Sequence, residues 1–305
     1  MRTAWALVLS LLGGGVLAEP YVAWKVETPY LPMTLTERGA YYSSETDKLK
    51  LEHVDLQGVR KSLITDGPAV SGDQRLLAPL PNGDVVLGTE QPNAAVVFVS
   101  PTGQVKTFRP NGSVLALAPY GLSNVIAVLG DGDSRFLARY NRSALVWVRP
   151  LGPESGNPAV LEAEGTVYVS TNSELRKYSG TGTLIWTRKA QPKSAIRWNP
   201  KHGPLLIDRM GSSDPGIELR QLDRAGKIVW QRPLREGFLQ RWSVDVDRVG
   251  RVHAMLWRNE QVQSGEIDVW DNSAQYRRLS AAGVVQFSKR FDGRSSYQNC
   301  GSELE

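Results

Sequence analysis

Apolar and polar residues alternate in short runs along most of the chain after its first twenty residues, and turn residues separate these runs. Alternation with a period of two is the pattern of a β-strand with one buried face. The longer 3.6-residue period of an amphipathic helix is absent after the N-terminal segment. The pattern predicts an all-β protein built from many short antiparallel strands.

One hairpin returns along the chain with a recognisable sequence. In ELRKYSGTGTLIWTR a strand leads to a glycine-containing turn, then to a short apolar run, Trp186, and Arg188 two residues later. ELRQLDRAGKIVWQR repeats this order, and YNRSALVWVR has Ser143 in place of the turn glycine. Glycine supplies the positive φ that tight hairpin turns need.

Six such turns can be aligned. Two further strands precede several of these hairpins, for example 158–164 and 166–172 before the turn at Gly182. The turns are centred on Gly58, Gly103, Ser143, Gly182, Gly226 and Gly283, in steps of 45, 40, 39, 44 and 57 residues. Repeats of about 40–45 residues are typical of the four-stranded blades of β-propellers.

The repeat predicts a single β-propeller of four-stranded antiparallel blades over residues 19–305. Isolated four-stranded sheets bury too little apolar surface, and radial packing buries both faces of every sheet. We favour six blades. Seven stays open, because the 57-residue step could be split or the segment 21–27, with Trp24, could supply an outer strand. A two-domain β-sandwich is the rival fold, and the even spacing argues against it.

The repeat resembles two known propeller families. ELRKYSGTGTLIW and ELRQLDRAGKIVW resemble the repeat of the pyrroloquinoline-quinone-type (PQQ-like) propellers, in which a strand, an x-x-G turn and a Trp end each blade. RWSVDVDRVGRVHAML is similar to the repeat of the NHL propellers, with an Asp-x-x-G turn. Together these motifs cover most of 35–291. The resemblance implies architecture more than activity, because propellers host many functions.

The N-terminus, MRTAWALVLSLLGGGVLAEP, is typical of a secretory signal peptide. We expect residues 1–18 to be removed after Ala18 and the protein to be exported, to the periplasm or the extracellular space. No later stretch is long and apolar enough to predict a transmembrane helix. Cys300 is the only cysteine, so no intramolecular disulfide can form, and we expect it in a loose C-terminal tail.

The formal net charge is +5, and the charges are scattered. This balance permits an anionic partner, while the lack of a basic run does not favour nucleic acid. The quinone dehydrogenases that the PQQ-like resemblance suggests carry a vicinal disulfide, which one cysteine cannot form. We therefore predict no cofactor. Asp131 and Asp133 are interpreted as a hairpin turn, and no metal is predicted.

Two functional hypotheses follow. The leading one is an exported, non-catalytic propeller, expected to be a monomer, that acts as a binding or scaffold module for a protein or an anionic envelope polymer. The alternative is a propeller hydrolase or lyase, lactonase-like, with a metal in the axial channel and His253, Asp245 and Asp208 around it. We expect the nearby Asp247 to cap its turn instead.

Five cations stand two residues after the Trp position of successive repeats: Arg109, Arg149, Arg188, Arg232 and Lys289. Rotation about a propeller axis would place them on one ring, which could bind an anion. The other interpretation is structural and is the one we favour. A spacing of two puts Arg and Trp on the same face of the strand, so the guanidinium can stack on the indole or tie one blade to the next.

Overall fold

A computed structural model gives the architecture of the chain. It describes residues 33–36, 39–43, 50–55, 59–64, 75–153, 158–171, 174–189, 195–210, 216–235, 239–258, 260–263, 267–271, 273–292 and 294–298. Every regular element in these ranges is a β-strand. The proposed signal peptide, the segment 21–27, the Gly58 turn and Cys300 lie outside the described residues.

The described strands fall into two compact units, Met1–Ser155 and Gly156–Glu305. The first unit contains three antiparallel four-stranded sheets whose strands follow one another in sequence order. Sheet 1 consists of β1 (Met33–Thr36), β2 (Gly39–Ser43), β3 (Leu51–Val54) and β4 (Arg60–Ile64); sheet 2 of β5 (Arg75–Pro79), β6 (Val85–Thr89), β7 (Ala95–Val99) and β8 (Val105–Phe108); and sheet 3 of β9 (Ser113–Tyr120), β10 (Asn124–Asp131), β11 (Ser134–Asn141) and β12 (Leu145–Pro153).

The second unit contains three more four-stranded sheets and one small sheet. Sheet 4 consists of β13 (Ala159–Ala163), β14 (Thr166–Ser170), β15 (Glu174–Ser179) and β16 (Leu184–Lys189), and sheet 5 of β17 (Ala195–Asn199), β18 (Gly203–Arg209), β19 (Gly216–Leu222) and β20 (Ile228–Arg235). The remaining strands are β21 (Leu239–Val246), β22 (Val252–Arg258), β23 (Glu260–Gln263), β24 (Ile267–Asp271), β25 (Ala274–Leu279), β26 (Val285–Phe291) and β27 (Arg294–Gln298).

The long step of 57 residues is caused by an inserted hairpin. Sheet 6 has the order β21-β22-β25-β26, while β23 and β24 stand between its second and third strands in sequence and pair with β27 as a separate three-stranded sheet. The insertion therefore lengthens the sixth repeat without adding a seventh four-stranded sheet to the described part of the chain.

Within each unit the sheets pack face to face. The first strands of successive sheets lie side by side, β1 by β5 and β5 by β9 in one unit, and β13 by β17 and β17 by β21 in the other. Val86 of sheet 2 and Val125 of sheet 3 belong to one apolar cluster, and Leu205 of sheet 5 and Ala254 of sheet 6 belong to another. Inner strands such as β6 and β7 are buried on both faces, which explains their continuous apolar sequences.

The fourth strand of each sheet is an edge strand and is more exposed than the inner strands. In β12 and β20 a proline, Pro150 or Pro233, directly follows the repeated arginine. Proline has no N–H to donate, so it is tolerated on an edge strand and hinders pairing with another chain. The recurring Arg-Pro pair thus protects an otherwise open sheet edge.

Candidate anion-binding surface on the outer strands

The strand register places the repeated aromatic residues at one equivalent position. Trp147, Trp186, Trp230 and Phe287 lie in the fourth strands of sheets 3 to 6. Each is paired with the third-strand residue that directly precedes a register shift. The repeat inferred from the sequence is therefore a structural repeat.

In the second unit the indole packs on the turn of the following sheet. A Cβ built on Gly226 would lie 3.0 Å from Cη2 of Trp186, and one built on Gly283 would lie 2.6 Å from Cδ2 of Trp230. Nε1 of Trp230 also donates a hydrogen bond of 2.7 Å to the carbonyl of Ala281. We call this packing of a fourth-strand Trp on the next sheet's turn the indole contact.

The arginine two residues later reaches the same turn. Nη2 of Arg188 donates to the carbonyl of Ala225 at 3.0 Å, and Nε of Arg232 donates to the carbonyl of Gly283 at 3.2 Å. The guanidinium of Arg188 also lies 5.3 Å from the ring centre of Trp186. Both contacts of the structural interpretation, stacking on the indole and tying one sheet to the next, are therefore present in the second unit.

The same arginines also cover their own edge strand. Nη1 of Arg149 donates to the carbonyl of Val148 at 2.8 Å, and Nη1 of Arg188 donates to that of Thr187 at 3.1 Å. Arg149 stacks on Trp147 at 5.7 Å from the ring centre. Both guanidinium groups are thus held along an exposed edge strand.

The two remaining candidates make different contacts. Nη1 of Arg109 donates to the carbonyl of Asn93, in the turn between β6 and β7 of its own sheet, at 3.0 Å. Nζ of Lys289 lies 5.5 Å from the ring centre of Phe291. Their side chains lie at the surface or close to it, as do those of the other three. An anion-binding role for these five residues stays a prediction.

The outermost strands are free of acidic residues. None of β4, β8, β12, β16, β20 and β26 contains Asp or Glu, although the whole chain has 31 acidic and 36 basic residues. The basic residues of these strands are Arg60, Lys61, Lys106, Arg149, Arg188, Lys189, Arg232, Arg235, Lys289 and Arg290. The net charge of +5 does not reveal this segregation, which appears only when the charges are counted strand by strand.

The structure gives His253 polar partners. Its Nδ1 lies 2.7 Å from Oη of Tyr276, and its Nε2 lies 3.2 Å from Oδ2 of Asp247. Asp245 is directly opposite His253 in the pairing of β21 with β22, but one of its oxygens accepts the N–H of Val246 at 2.8 Å. The carboxylate bonded to His253 is therefore that of Asp247.

Asp247 caps its turn, as the sequence predicts. Its Oδ1 accepts the N–H groups of Val249 at 3.0 Å and Arg251 at 2.8 Å, and its Oδ2 accepts Nε of Arg251 at 2.6 Å. Burial opposes its ionisation, but the hydrogen bonds from Arg251 and His253 outweigh that effect and hold the pKa of Asp247 below its usual value. Burial raises the pKa of the neighbouring Tyr276 hydroxyl.

Asp208 belongs to a different sheet and does not join His253. It lies in β18 and forms a buried ion pair with Arg220 of β19. It shares a strand face with Leu206, which packs in the cluster between sheets 4 and 5. Asp131 ends β10 and Asp133 stands in the two-residue turn that leads to β11, so both belong to a hairpin turn as predicted.

Among the residues that the structure describes, no three His, Cys, Asp or Glu side chains gather as a metal site would require. The same ranges hold no helix long and apolar enough to cross a bilayer.

Several solved structures have a similar fold. The WD40 β-propeller domain of Doa1 matches with a TM-score of 0.54 and 10% identity over 84% of this chain and 80% of that one. The WD40 domain of Toxoplasma gondii coronin matches with a TM-score of 0.56 and 10% identity over 88% of this chain and 72% of that one. The chain has a β-propeller fold. Its six four-stranded sheets are the blades.

A third match is a protein of unknown function from Bacteroides caccae, with a TM-score of 0.49 and 11% identity over 82% of this chain and 92% of that one. No protein-family model matches the sequence of this propeller, and no curated protein is similar to it in sequence. At identities this low, the structural matches establish the fold alone.

Proposed function

We propose that this propeller is an exported, non-catalytic binding or scaffold module for a protein or an anionic envelope polymer. The proposed contacts are Arg109, Arg149, Arg188, Arg232 and Lys289. One observation supports the proposal above the others: the fourth strands of the blades contain basic residues and no acidic ones.

The segregation matters because charges on a protein surface act together. A carboxylate within a few ångströms of each lysine or arginine would cancel most of its field, and salt screens charges more than about 10 Å apart at 0.1 M ionic strength. Arg60 and Arg290 have such a carboxylate beside them, Glu52 at 3.4 Å and Asp292 at 2.8 Å. The outer strands themselves contribute no carboxylate and keep a net positive charge, which acts at short range where a partner makes contact. Cations repeated on successive blades suit a partner with many negative groups.

The test uses a fluorescent sulfated polysaccharide as the polyanion and the mature protein. The variant Arg109→Gln with Lys289→Gln removes two of the five proposed contacts and leaves the indole contacts intact, because neither residue takes part in them. We expect weaker binding and a smaller loss of affinity with salt than in the wild type. The matched control is Lys201→Gln with Arg248→Gln, which removes two charges from turns. Equal effects of the two variants would contradict a specific role for the outer strands.

Export belongs to the same proposal. The sequence supports it through residues 1–18, and N-terminal sequencing of protein recovered outside the cytoplasm should begin at Glu19. An uncleaved chain that stays in the cytoplasm would contradict export. Residues 19–305 would then form the propeller domain. The resemblance of the blades to PQQ-like and NHL repeats also stays a prediction.

The enzymatic alternative, a lactonase-like hydrolase or lyase, has one observation in its favour. His253 is hydrogen-bonded to Asp247, and Asp245 is its direct cross-strand neighbour. A divalent ion bound in stoichiometric amount, and lost in His253→Ala, would support the alternative. Purified protein that takes up no divalent ion under saturating conditions would contradict it.

A further inference from the structure

The outer strands of the second unit are ordered along their length. In β16 the exposed aliphatic residues Leu184 and Ile185 come first, the half-buried Trp186 follows, and the exposed cations Arg188 and Lys189 end the strand. Both aliphatic side chains are exposed although they point to opposite faces of the strand, because β16 is the edge strand of its sheet in the part of the chain that the structure describes.

The two following blades repeat this order. In β20 the aliphatic pair is Ile228 and Val229, and the cations are Arg232 and Arg235. In β26 the aliphatic part is carried by Val285 with Val284 before it, and the aromatic residue is Phe287. The cations are Lys289 and Arg290, of which Arg290 forms an ion pair of 2.8 Å with Asp292. The six aliphatic side chains of the three blades, which we call the aliphatic band, are each between 43% and 56% exposed.

The blades that carry the aliphatic band are in direct contact with one another. The indole contacts join blade 4 to blade 5 through Trp186 and Gly226, and blade 5 to blade 6 through Trp230 and Gly283. The turns that lead into β16 and β26, residues 180–183 and 281–284, contain no charged residue. Two of the three turns next to the aliphatic band can therefore approach an apolar phase without burying a charge.

The order of the side chains matches the order of environments at a bilayer surface. Acyl chains accept aliphatic groups, and anionic headgroups attract lysine and arginine. At about 3.3 Å per residue, Leu184 and Arg188 are about 13 Å apart along the strand. This distance is comparable to the depth of about 5–10 Å at which interfacial segments bury their apolar face.

Other partners explain less of this surface. A soluble polyanion would account for the cations but gains nothing from exposed aliphatic groups. Strand pairing with a second copy is hindered in β20 by Pro233 and in β16 by Arg188, which covers the carbonyl of Thr187. A surface that is both anionic and apolar accounts for both halves of each strand.

We propose that the outer strands β16, β20 and β26 bind an anionic lipid bilayer. The aliphatic band enters the boundary between headgroups and acyl chains, and the cations behind it contact the phosphates. This inference rests on the proposed function for the positive charge of the strands. It goes beyond that function in assigning a role to the aliphatic band.

The test is co-sedimentation of the mature protein with phosphatidylcholine vesicles, with or without phosphatidylglycerol. We expect binding only when the anionic lipid is present. Leu184→Ser with Ile185→Ser should weaken that binding about tenfold, from the loss of two apolar contacts. Lys189→Gln should weaken it about fivefold. The matched control is Leu122→Ser, which changes an exposed leucine in the turn between β9 and β10 and should leave binding unchanged.

The outcomes separate this inference from the proposed function, because each variant is also tested with the sulfated polysaccharide. Binding to the polysaccharide without binding to anionic vesicles overturns the lipid proposal alone. Vesicle binding that depends on Lys189 but not on the aliphatic pair does the same. Binding to neither probe overturns both. Ile228→Ser with Val229→Ser on the next blade gives a second, independent reading if the first variant misfolds, which urea unfolding would reveal.

Discussion

The indole contact can be tested by adding one methyl group. Gly283 has a φ of +76°, and a Cβ there would lie 2.6, 2.8 and 3.1 Å from three ring atoms of Trp230. In Gly283→Ala the left-handed backbone costs about 1–2 kcal/mol. Displacing a rigid indole from a packed position costs a further 1–3 kcal/mol or so. We expect the free energy of unfolding of the second unit to fall by about 2–5 kcal/mol.

Gly165 is the matched control, because it has nearly the same backbone without the indole. Its φ is +73°, it lies in the same unit, and a Cβ there would meet no atom within 4 Å. Gly165→Ala should cost only the backbone part, about 1–2 kcal/mol. Urea unfolding followed by far-UV circular dichroism measures both variants. Equal destabilisation by the two alanines would refute the packing of Trp230 on the turn.

A double-mutant cycle assigns the difference to the indole. In a Trp230→Leu background the added methyl group of Gly283→Ala meets a smaller side chain, so its cost should fall to about that of Gly165→Ala, 1–2 kcal/mol. An unchanged cost would mean that another neighbour, and not Trp230, restricts this turn.

Three further predictions concern buried polar groups. Because folding lowers the pKa of Asp247, its carboxylate stabilises the fold above its unfolded pKa of about 3.9, and this stabilisation is lost as pH falls through the folded pKa. The midpoint of urea unfolding should therefore fall less steeply below about pH 4 in Asp247→Asn than in the wild type. Asp208→Ala should cost about 1.5–3 kcal/mol in urea unfolding, because it removes one carboxylate from the buried Arg220 and leaves Glu218 at 3.4 Å. Adding Arg220→Met should recover most of this loss. Asn199→Ala should cost about 1–3 kcal/mol, since its side chain donates to Gln221 at 2.9 Å in a buried site. Asn199→Ala and Gln221→Ala together should cost less than the sum of the two in the same assay.

The strands were predictable because their signals are local. The segment 174–178 lies within β15 and 218–222 lies within β19, both predicted from alternation and the glycine turn that follows. The inserted hairpin was not predictable in this way. β23 and β24 alternate like any other strands, and only their pairing with β27 shows that they stand outside the sixth blade.

The partners of the candidate site residues depend on register and on contacts between sheets. The sequence suggested Asp245 or Asp208 as partners of His253, because all three residues lie on predicted inner strands. The bonded groups are instead Asp247, at the end of the preceding strand, and Tyr276, on the next strand of the sheet. A hydrogen bond is decided by distances near 3 Å, which strand order alone does not give.

By itself the sequence determined the β-strands, their grouping in fours and the recurrence of one aromatic position, because period-two alternation and glycine turns act over a few residues. Only the tertiary structure decided what the recurring residues contact. Trp230 meets the turn at Gly283 some fifty residues away because the sheets stack face to face. The order of the strands within each sheet places the fourth strand at an exposed edge. Its cations, and in the second unit its aliphatic residues, therefore form a surface.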